Sequence, residues 1–190
     1  MIESKKRSKG NNFKILLLMS LLASSLTLIT SNQSRAAECK PVKPRGQSVG
    51  SIKYGSRSMP IIPFTYPAGG VMEPQKTTKA AAISLRHMPL DSKLGTSVIA
   101  WHVDFNGCVN ELNALLKKPV GHKFSITDDK GVKRNYVISE KFTVKKGNYK
   151  RSWFSLVGPR QLAMFTCSGP FEKGHYRNNE VLIAVPALDA

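Results

Sequence analysis

Residues 123–139 read KFSITDDKGVKRNYVIS, and this stretch decides the fold class. Apolar and polar residues alternate in Lys123–Thr127 and again in Lys133–Ser139, which is the two-residue period of a half-buried β-strand. Between them, Asp128-Asp129-Lys130-Gly131 supplies the residue types that turns require. The pattern therefore predicts two antiparallel strands joined by a tight turn.

The same pattern of short strands extends in both directions from this hairpin. Only one segment, Val109–Lys118, has the spacing of a helix, with Val109, Leu112, Leu115 and Leu116 on one face. Seven or eight short strands and one short helix predict an all-β domain over residues 60–190, either a closed barrel or a sandwich. The further predicted strands are Ile61–Phe64, Ala81–His87, Ser97–His102, Phe142–Lys145, Gln161–Cys167 and Val181–Val185.

The N-terminus is predicted to be a targeting segment. Its first 14 residues hold five basic residues and one acid, and an apolar run of about 15 residues follows at 15–29. Residues 1–36 are therefore predicted to be a secretory signal, cleaved after Ala36 or retained as a signal anchor, so the rest of the chain leaves the cytoplasm. Residues 37–59, rich in Lys, Pro, Gly and Ser, are predicted to be a linker.

Composition limits the class of partner. The 190 residues carry a net charge of +17. Removing residues 1–36 takes away six basic residues and one acid, so about +12 remains on the exported part. The basic residues are scattered over turns and are not interleaved with aromatic residues, so we predict a generally basic surface and no nucleic-acid partner. The three cysteines leave at least one thiol unpaired.

Three polar groups stand at the ends of predicted strands. Cys167 ends Gln161–Cys167, His102 ends Ser97–His102, and Arg177 precedes Val181–Val185. A thiol becomes a strong nucleophile when imidazole and guanidinium groups favour its thiolate. The imidazole can then protonate a leaving amine, and the guanidinium fork can hold a carbonyl oxygen. Together these groups indicate acyl transfer through a thioester.

The sequence around these residues resembles the sortase family. The similar segments are Val98-Ile99-Ala100-Trp101-His102-Val103-Asp104, Thr166-Cys167-Ser168-Gly169-Pro170-Phe171 and Gly174-His175-Tyr176-Arg177-Asn178-Asn179-Glu180-Val181. The likeness is greatest to the actinobacterial sortases of class E or F. It spans roughly residues 60–186, although only these three segments are diagnostic. The order of His, Cys and Arg along the chain also agrees with the family.

The resemblance implies a closed eight-stranded β-barrel with one or two short helices, acting as a cysteine transpeptidase outside a Gram-positive-type cell. It implies Cys167 as nucleophile, His102 as general acid and base, and Arg177 as stabiliser of the substrate carbonyl and oxyanion. Cleavage would fall between Thr and Gly of a motif similar to Leu-Pro-x-Thr-Gly in surface proteins. The acceptor would be an amine of a peptidoglycan cross-bridge or a pilin lysine. Neither a metal nor an organic cofactor is implied.

Two residues depart from the family pattern. Trp101 and Ser168 each replace a glycine, and we expect both, with Thr166 beside the nucleophile, to contact substrate. Asp104 either orients His102 or is a solvated loop acid. The segment around Trp153 and Phe154 forms either a groove wall or core packing.

Several alternatives remain open at the level of sequence. His175 competes with His102 as the imidazole, and Arg160 competes with Arg177 as the guanidinium. Cys39 and Cys108 either form a disulfide, which an exported protein permits, or stay unpaired. A rival hypothesis from another class is a basic, non-catalytic barrel that binds polymers of the cell envelope.

Overall fold

A computed structural model describes residues 38–67 and 71–188. The predicted targeting segment, residues 1–36, lies outside this range. None of the helices in the described residues is long and apolar enough to cross a membrane.

Eight strands form a closed barrel that contains both antiparallel and parallel pairs, which confirms the predicted fold class. Around the barrel the order is β1-β2-β3-β4-β9-β10-β8-β7, and the pairs β2–β3 and β4–β9 are parallel. A separate two-stranded ribbon, β5–β6, follows β4. The strands are β1 Gly50–Tyr54, β2 Arg57–Phe64, β3 Ala81–Ser84, β4 Thr96–Trp101, β5 Asp104–Phe105, β6 Cys108–Val109, β7 Lys123–Asp128, β8 Lys133–Lys145, β9 Gln161–Glu172 and β10 His175–Pro186.

The hairpin predicted from residues 123–139 is present as β7 and β8. Its turn is stabilised by Asp128, whose carboxylate accepts from the backbone N–H of Lys130 and Val132 at 3.1 and 2.8 Å. Gly131 has φ +78°, a left-handed conformation that glycine adopts readily and residues with a side chain rarely adopt. The side-chain hydrogen bond from Arg134 to Asp128 lowers the pKa of that carboxyl group.

The two sides of the barrel wall carry two separate apolar clusters, because successive side chains of a strand point to opposite faces. We call the barrel interior the inner face; it holds Ile99, Leu162, Met164 and Leu182. We call the other side the outer face; there Val98, Ala100, Ala163, Phe165, Val181 and Ile183 pack beneath Trp153. Trp153 therefore serves packing, which is one of the two alternatives predicted for its segment.

Two short 3-10 helices interrupt the strands, Glu111–Lys117 and Arg151–Phe154. The first lies within the predicted helix and buries Leu112 and Leu115, but it begins later than predicted. Asn110 caps it by accepting from the N–H of Leu112 at 2.9 Å. Val109 belongs to β6 and is exposed, so its predicted place on the buried helix face is wrong.

The structure corrects the strand boundaries in two other places. The predicted linker, residues 37–59, contains β1 and the first part of β2. Only alternate residues of β1, Ile52 and Tyr54, are buried, so its polar outer residues masked the strand. Two predicted strands, Lys133–Ser139 and Phe142–Lys145, form the single strand β8, which accommodates a register shift opposite Ile183 and Ala184.

Candidate active site

Cys167 lies within β9 and not at its end, contrary to the sequence prediction. The strand continues to Glu172, turns at Lys173 and Gly174, and returns as β10. Lys173 and Gly174 have φ of +51° and +82°, as a two-residue hairpin turn with left-handed residues requires. The segment after the cysteine was expected to be a loop because it contains Gly169 and Pro170, which here form a bulge.

The Cys167 thiol is free, half-buried and on the outer face. All three cysteines lie in the described residues, and Cys167 is the one without a disulfide partner. Its side chain follows Ala163 and Phe165 in the alternation of β9, and both of those residues belong to the outer cluster. The thiol is therefore directed away from the barrel interior, where a substrate can approach it.

His102 directly follows β4, the strand that pairs in parallel with the strand of Cys167. The last paired residues are Trp101 and Thr166, so His102 and Cys167 are the next positions on neighbouring strands. Neighbouring strands lie about 4.8 Å apart. Val98 and Ala100 belong to the outer cluster, and one further step of this alternation leads to His102, on the face that carries the thiol.

A hydrogen bond determines which imidazole nitrogen carries the proton. His102 Nε2 lies 3.1 Å from the carbonyl oxygen of Pro74. A carbonyl oxygen can only accept, so Nε2 carries the hydrogen of the neutral ring. Nδ1 is then the ring nitrogen left to accept a proton.

Two of the residues expected to contact substrate have side chains that are buried in the barrel. Trp101 and Thr166 are each 2% exposed. Trp101 donates from its indole to Asn113 Oδ1 at 2.8 Å, and the Thr166 hydroxyl donates to the Trp101 carbonyl at 2.8 Å. Each precedes an outward-facing site residue, so strand alternation directs it inward.

Asn113 and the residues around His102 form a small bracing network. Asn113 Oδ1 accepts from the indole of Trp101, and its Nδ2 donates to the Val103 carbonyl at 2.7 Å. These two partners flank His102 on either side. Trp101 is therefore part of the support of the histidine.

Ser168 also lies on the face opposite to the thiol. It pairs with Asn178, next to the pair that contains Cys167, and its hydroxyl oxygen is buried with no hydrogen-bond partner in the described residues. This position does not support the expected substrate contact.

Arg177 lies on β10 two residues before Asn179, the residue paired with Cys167, and opposite the β9 bulge. Its side chain is 55% exposed, and its Nε lies 3.6 Å from a carboxylate oxygen of Glu172. With Lys145, Lys146 and His175 it lines an open cavity of about 260 Å³.

The two rival residues serve other contacts. His175 is exposed in the β9–β10 hairpin, with Nδ1 3.2 Å from the Lys173 carbonyl. Arg160 donates to the Leu90 carbonyl and lies over the ring of Tyr136. Neither residue is next to Cys167 in the strand register.

Asp104 binds Tyr176 instead of orienting His102. The Tyr176 hydroxyl donates to Asp104 Oδ2 at 2.5 Å. This hydrogen bond chiefly raises the pKa of Tyr176 to about 12, and burial and the negative charge of Asp104 contribute to the rise. The contact joins the turn after His102 to the strand that carries Arg177.

A disulfide links Cys39 to Cys108. The segment after Cys39 also exchanges two hydrogen bonds between Lys40 and Asn106, at 3.1 and 2.8 Å. Further along, the side chain of Gln75 donates to and accepts from the backbone of Arg45 at 2.6 and 2.8 Å. The N-terminal segment is thereby fastened to the loops around His102.

Sequence reasoning assigned no role to Asn179 and Tyr149. Asn179 is the residue directly opposite Cys167 in the β9–β10 pairing, and the Tyr149 hydroxyl donates to Asn179 Oδ1 at 2.8 Å. Asn179 belongs to one of the three sortase-like segments, but no pattern in the sequence gives its register. Tyr149 comes from the irregular β8–β9 connection, whose path no periodicity predicts.

The described residues contain no group of His, Cys, Asp and Glu side chains that could hold a metal ion. The chemistry that the site offers is that of a thiol, an imidazole and neighbouring hydrogen-bond donors.

Solved sortase structures resemble this chain. Sortase C1 of Streptococcus agalactiae in complex with MTSET matches with a TM-score of 0.58 and 14% identity, over 75% of this chain and 70% of that chain. A pilus-related sortase C of group B Streptococcus matches with a TM-score of 0.58 and 17% identity, over 76% of this chain and 69% of that chain. A lid mutant of sortase A from Corynebacterium diphtheriae matches with a TM-score of 0.58 and 16% identity, over 77% of this chain and 74% of that chain.

No protein-family model and no curated protein sequence matches the chain at a significant level. The likeness to classes E and F rests on the sequence motifs alone and stays a prediction. At identities of 14–17% the structural matches show the architecture. The chain therefore has the sortase fold.

Proposed function

We propose that this protein is an extracytoplasmic cysteine transpeptidase of the sortase type. The observation that carries the proposal is the free, half-buried thiol of Cys167 beside His102 on the outer face of parallel strands. A histidine near an accessible thiol is the arrangement that nucleophilic catalysis by cysteine requires. The sortase architecture around this pair makes peptide transfer the favoured reaction.

In the proposed reaction His102 Nδ1 takes the thiol proton and the Cys167 thiolate attacks the scissile carbonyl carbon. The electron pair of the C=O bond moves to oxygen and returns when the C–N bond breaks. The leaving amine takes its proton from the imidazolium, and a thioester remains. An acceptor amine then attacks the thioester carbon, the C–S bond breaks, and the proton lost by the amine passes through His102 to the sulfur, which restores the thiol.

The substrate and acceptor follow from the sequence resemblance. We propose surface proteins with a sorting motif similar to Leu-Pro-x-Thr-Gly as acyl donors, and a peptidoglycan cross-bridge or pilin lysine as acceptor. Arg177 would bind the substrate carbonyl, for which its guanidinium must leave Glu172, a weak and exposed partner at 3.6 Å. Water would act as acceptor where no amine is supplied.

The disulfide supports the proposed location outside the cytoplasm. Disulfides such as Cys39–Cys108 persist in oxidising compartments and are rare in the cytosol. We therefore propose that residues 1–36 direct export, with the catalytic domain on the outer side of the membrane.

The test is to incubate the purified protein with a library of fluorogenic pentapeptides, with and without a primary amine. We expect cleavage of one motif class, an amide product when the amine is present, and a thioester adduct detectable by mass spectrometry. C167A should abolish all three. Absence of cleavage across the library, together with tight binding of envelope polymers by wild type and C167A alike, would favour the non-catalytic barrel.

A further inference from the structure

Asn179 occupies the position from which a side chain can reach an acyl group on Cys167. The two residues are directly opposite each other in the antiparallel pair β9–β10. Side chains of directly opposite residues share a face, with Cβ atoms about 4.5–5.5 Å apart. Asn179 also precedes the outer-face residues Val181 and Ile183 in the alternation of β10.

The hydrogen bonds of the Asn179 amide fix its orientation. Nδ2 donates to the Thr166 carbonyl at 2.9 Å, and Oδ1 accepts from the Tyr149 hydroxyl at 2.8 Å. The residue is 8% exposed, so water does not compete freely for these bonds. An inverted amide would present oxygen to the Thr166 carbonyl, and two acceptors cannot pair.

One hydrogen of this amide remains available. An Asn side chain has two N–H donors, and the bond to Thr166 uses one of them. The second has no hydrogen-bond partner in the described residues, and the amide that carries it belongs to the residue paired with Cys167. In contrast, the Arg177 guanidinium extends to Glu172 and is more than half exposed.

The amide is also held by packing. The Tyr149 ring meets Phe165 edge to face, with centroids 5.8 Å apart, and Phe165 precedes Cys167 by two residues on the same face. Tyr149 thus contacts the strand of the nucleophile through its ring and the opposite strand through its hydroxyl. Donors held in advance where negative charge develops stabilise a transition state most effectively.

We propose that Asn179 is a further catalytic residue, whose free Nδ2–H donates to the acyl oxygen on Cys167, and that Tyr149 is its positioning residue. This inference rests on the proposed function. As the thiolate adds to the carbonyl carbon, negative charge gathers on the carbonyl oxygen and the amide stabilises it. No proton is transferred from Asn179, and the donor is released when the thioester forms.

The test compares two reactions of Cys167 in the full-length protein. Acylation by a cleavable sorting peptide passes through an oxyanion, whereas alkylation by iodoacetamide needs the thiolate and no oxyanion. We expect N179A to lower the single-turnover acylation rate by about 10²-fold, with KM and the alkylation rate changed by less than about threefold. Y149F, which keeps the ring, should lower acylation by about tenfold.

Asn178 provides the matched control, because it is the same residue type on the opposite face of β10 and pairs with Ser168. N178A should leave both rates within about twofold of wild type. Thermal melting is recorded for every variant. If N179A does not fold, N179D keeps the side-chain shape and the acceptor for Tyr149, and acylation is compared at the pH where its alkylation rate equals that of wild type.

The outcomes separate the two proposals. If wild type is acylated and N179A is acylated at the same rate, the role of Asn179 is refuted while the proposed function stands. The same conclusion follows if N179D is acylated at the wild-type rate when the two alkylation rates are matched. A parallel fall of acylation and alkylation in N179A also refutes it, since the residue would then act on the thiol or its surroundings. If wild type acylates no peptide while Cys167 alkylates normally, the proposed function itself fails and Asn179 loses its role with it.

Discussion

Removing the disulfide between Cys39 and Cys108 is expected to destabilise the protein strongly. The bond joins residues that are 69 apart in sequence. For a loop of that length, the entropy that the crosslink removes from the unfolded chain corresponds to about 4.4 kcal/mol near room temperature. We therefore expect C39A/C108A to lose about 4 kcal/mol of its free energy of unfolding and about 10 °C in Tm.

The folded state should survive this change. The bonds between Lys40 and Asn106, and those of Thr77 to Val42 and Gln75 to Arg45, hold the N-terminal segment without the disulfide. The effect should therefore fall on the unfolded chain, with an unchanged far-UV circular dichroism spectrum.

Urea denaturation of C39A/C108A measures the loss, with both proteins in a C167A background so that no free thiol exchanges with the disulfide. C167A alone is the reference, and its reduction by a dithiol should reproduce the loss. A loss below about 1 kcal/mol, with the spectrum unchanged, would refute the assignment of this stability to loop closure.

Three smaller perturbations test other contacts. W101F removes the indole donor to Asn113 and should cost about 1–3 kcal/mol in urea denaturation; additivity of W101F and N113A would contradict the contact. Tyr176 has a pKa raised to about 12, so it keeps its proton longer when folded. Stability should be full below pH ~10 and fall as the pH rises towards ~12, and Y176F or D104N should remove this dependence. The lowered pKa of Asp128 implies stability that is present above pH ~4 and lost on further acidification; thermal melts of D128N should show a flatter acid limb.

Much of the barrel could be predicted from local pattern. The alternation of residues 123–139 and the turn residues Asp128 and Gly131 were sufficient for the β7–β8 hairpin. β1 was missed because its five residues bury only Ile52 and Tyr54, so its polar outer residues resemble a linker. Closure of the barrel depends on pairings between distant strands, which local pattern does not specify.

The candidate site was predictable in part. The motifs indicated Cys167 and His102, and their adjacency follows from the parallel pairing of β4 and β9. The inward direction of Trp101 and Thr166 could have been predicted, since each precedes an outward-facing residue in a strand. The position of Asn179 could not, because it depends on an irregularity in the β9–β10 pairing that only the fold reveals.

That irregularity has a chemical consequence. Counting back evenly from the Glu172–His175 pair would set Cys167 against Glu180, but the additional residue of β9 near Gly169 moves its partner to Asn179. A carboxylate facing the sulfur would repel the thiolate and weaken the nucleophile. One additional residue in β9 thus places the neutral Asn179 opposite the sulfur in place of the anionic Glu180. The reactivity of the sulfur therefore depends on backbone geometry as much as on side-chain identity.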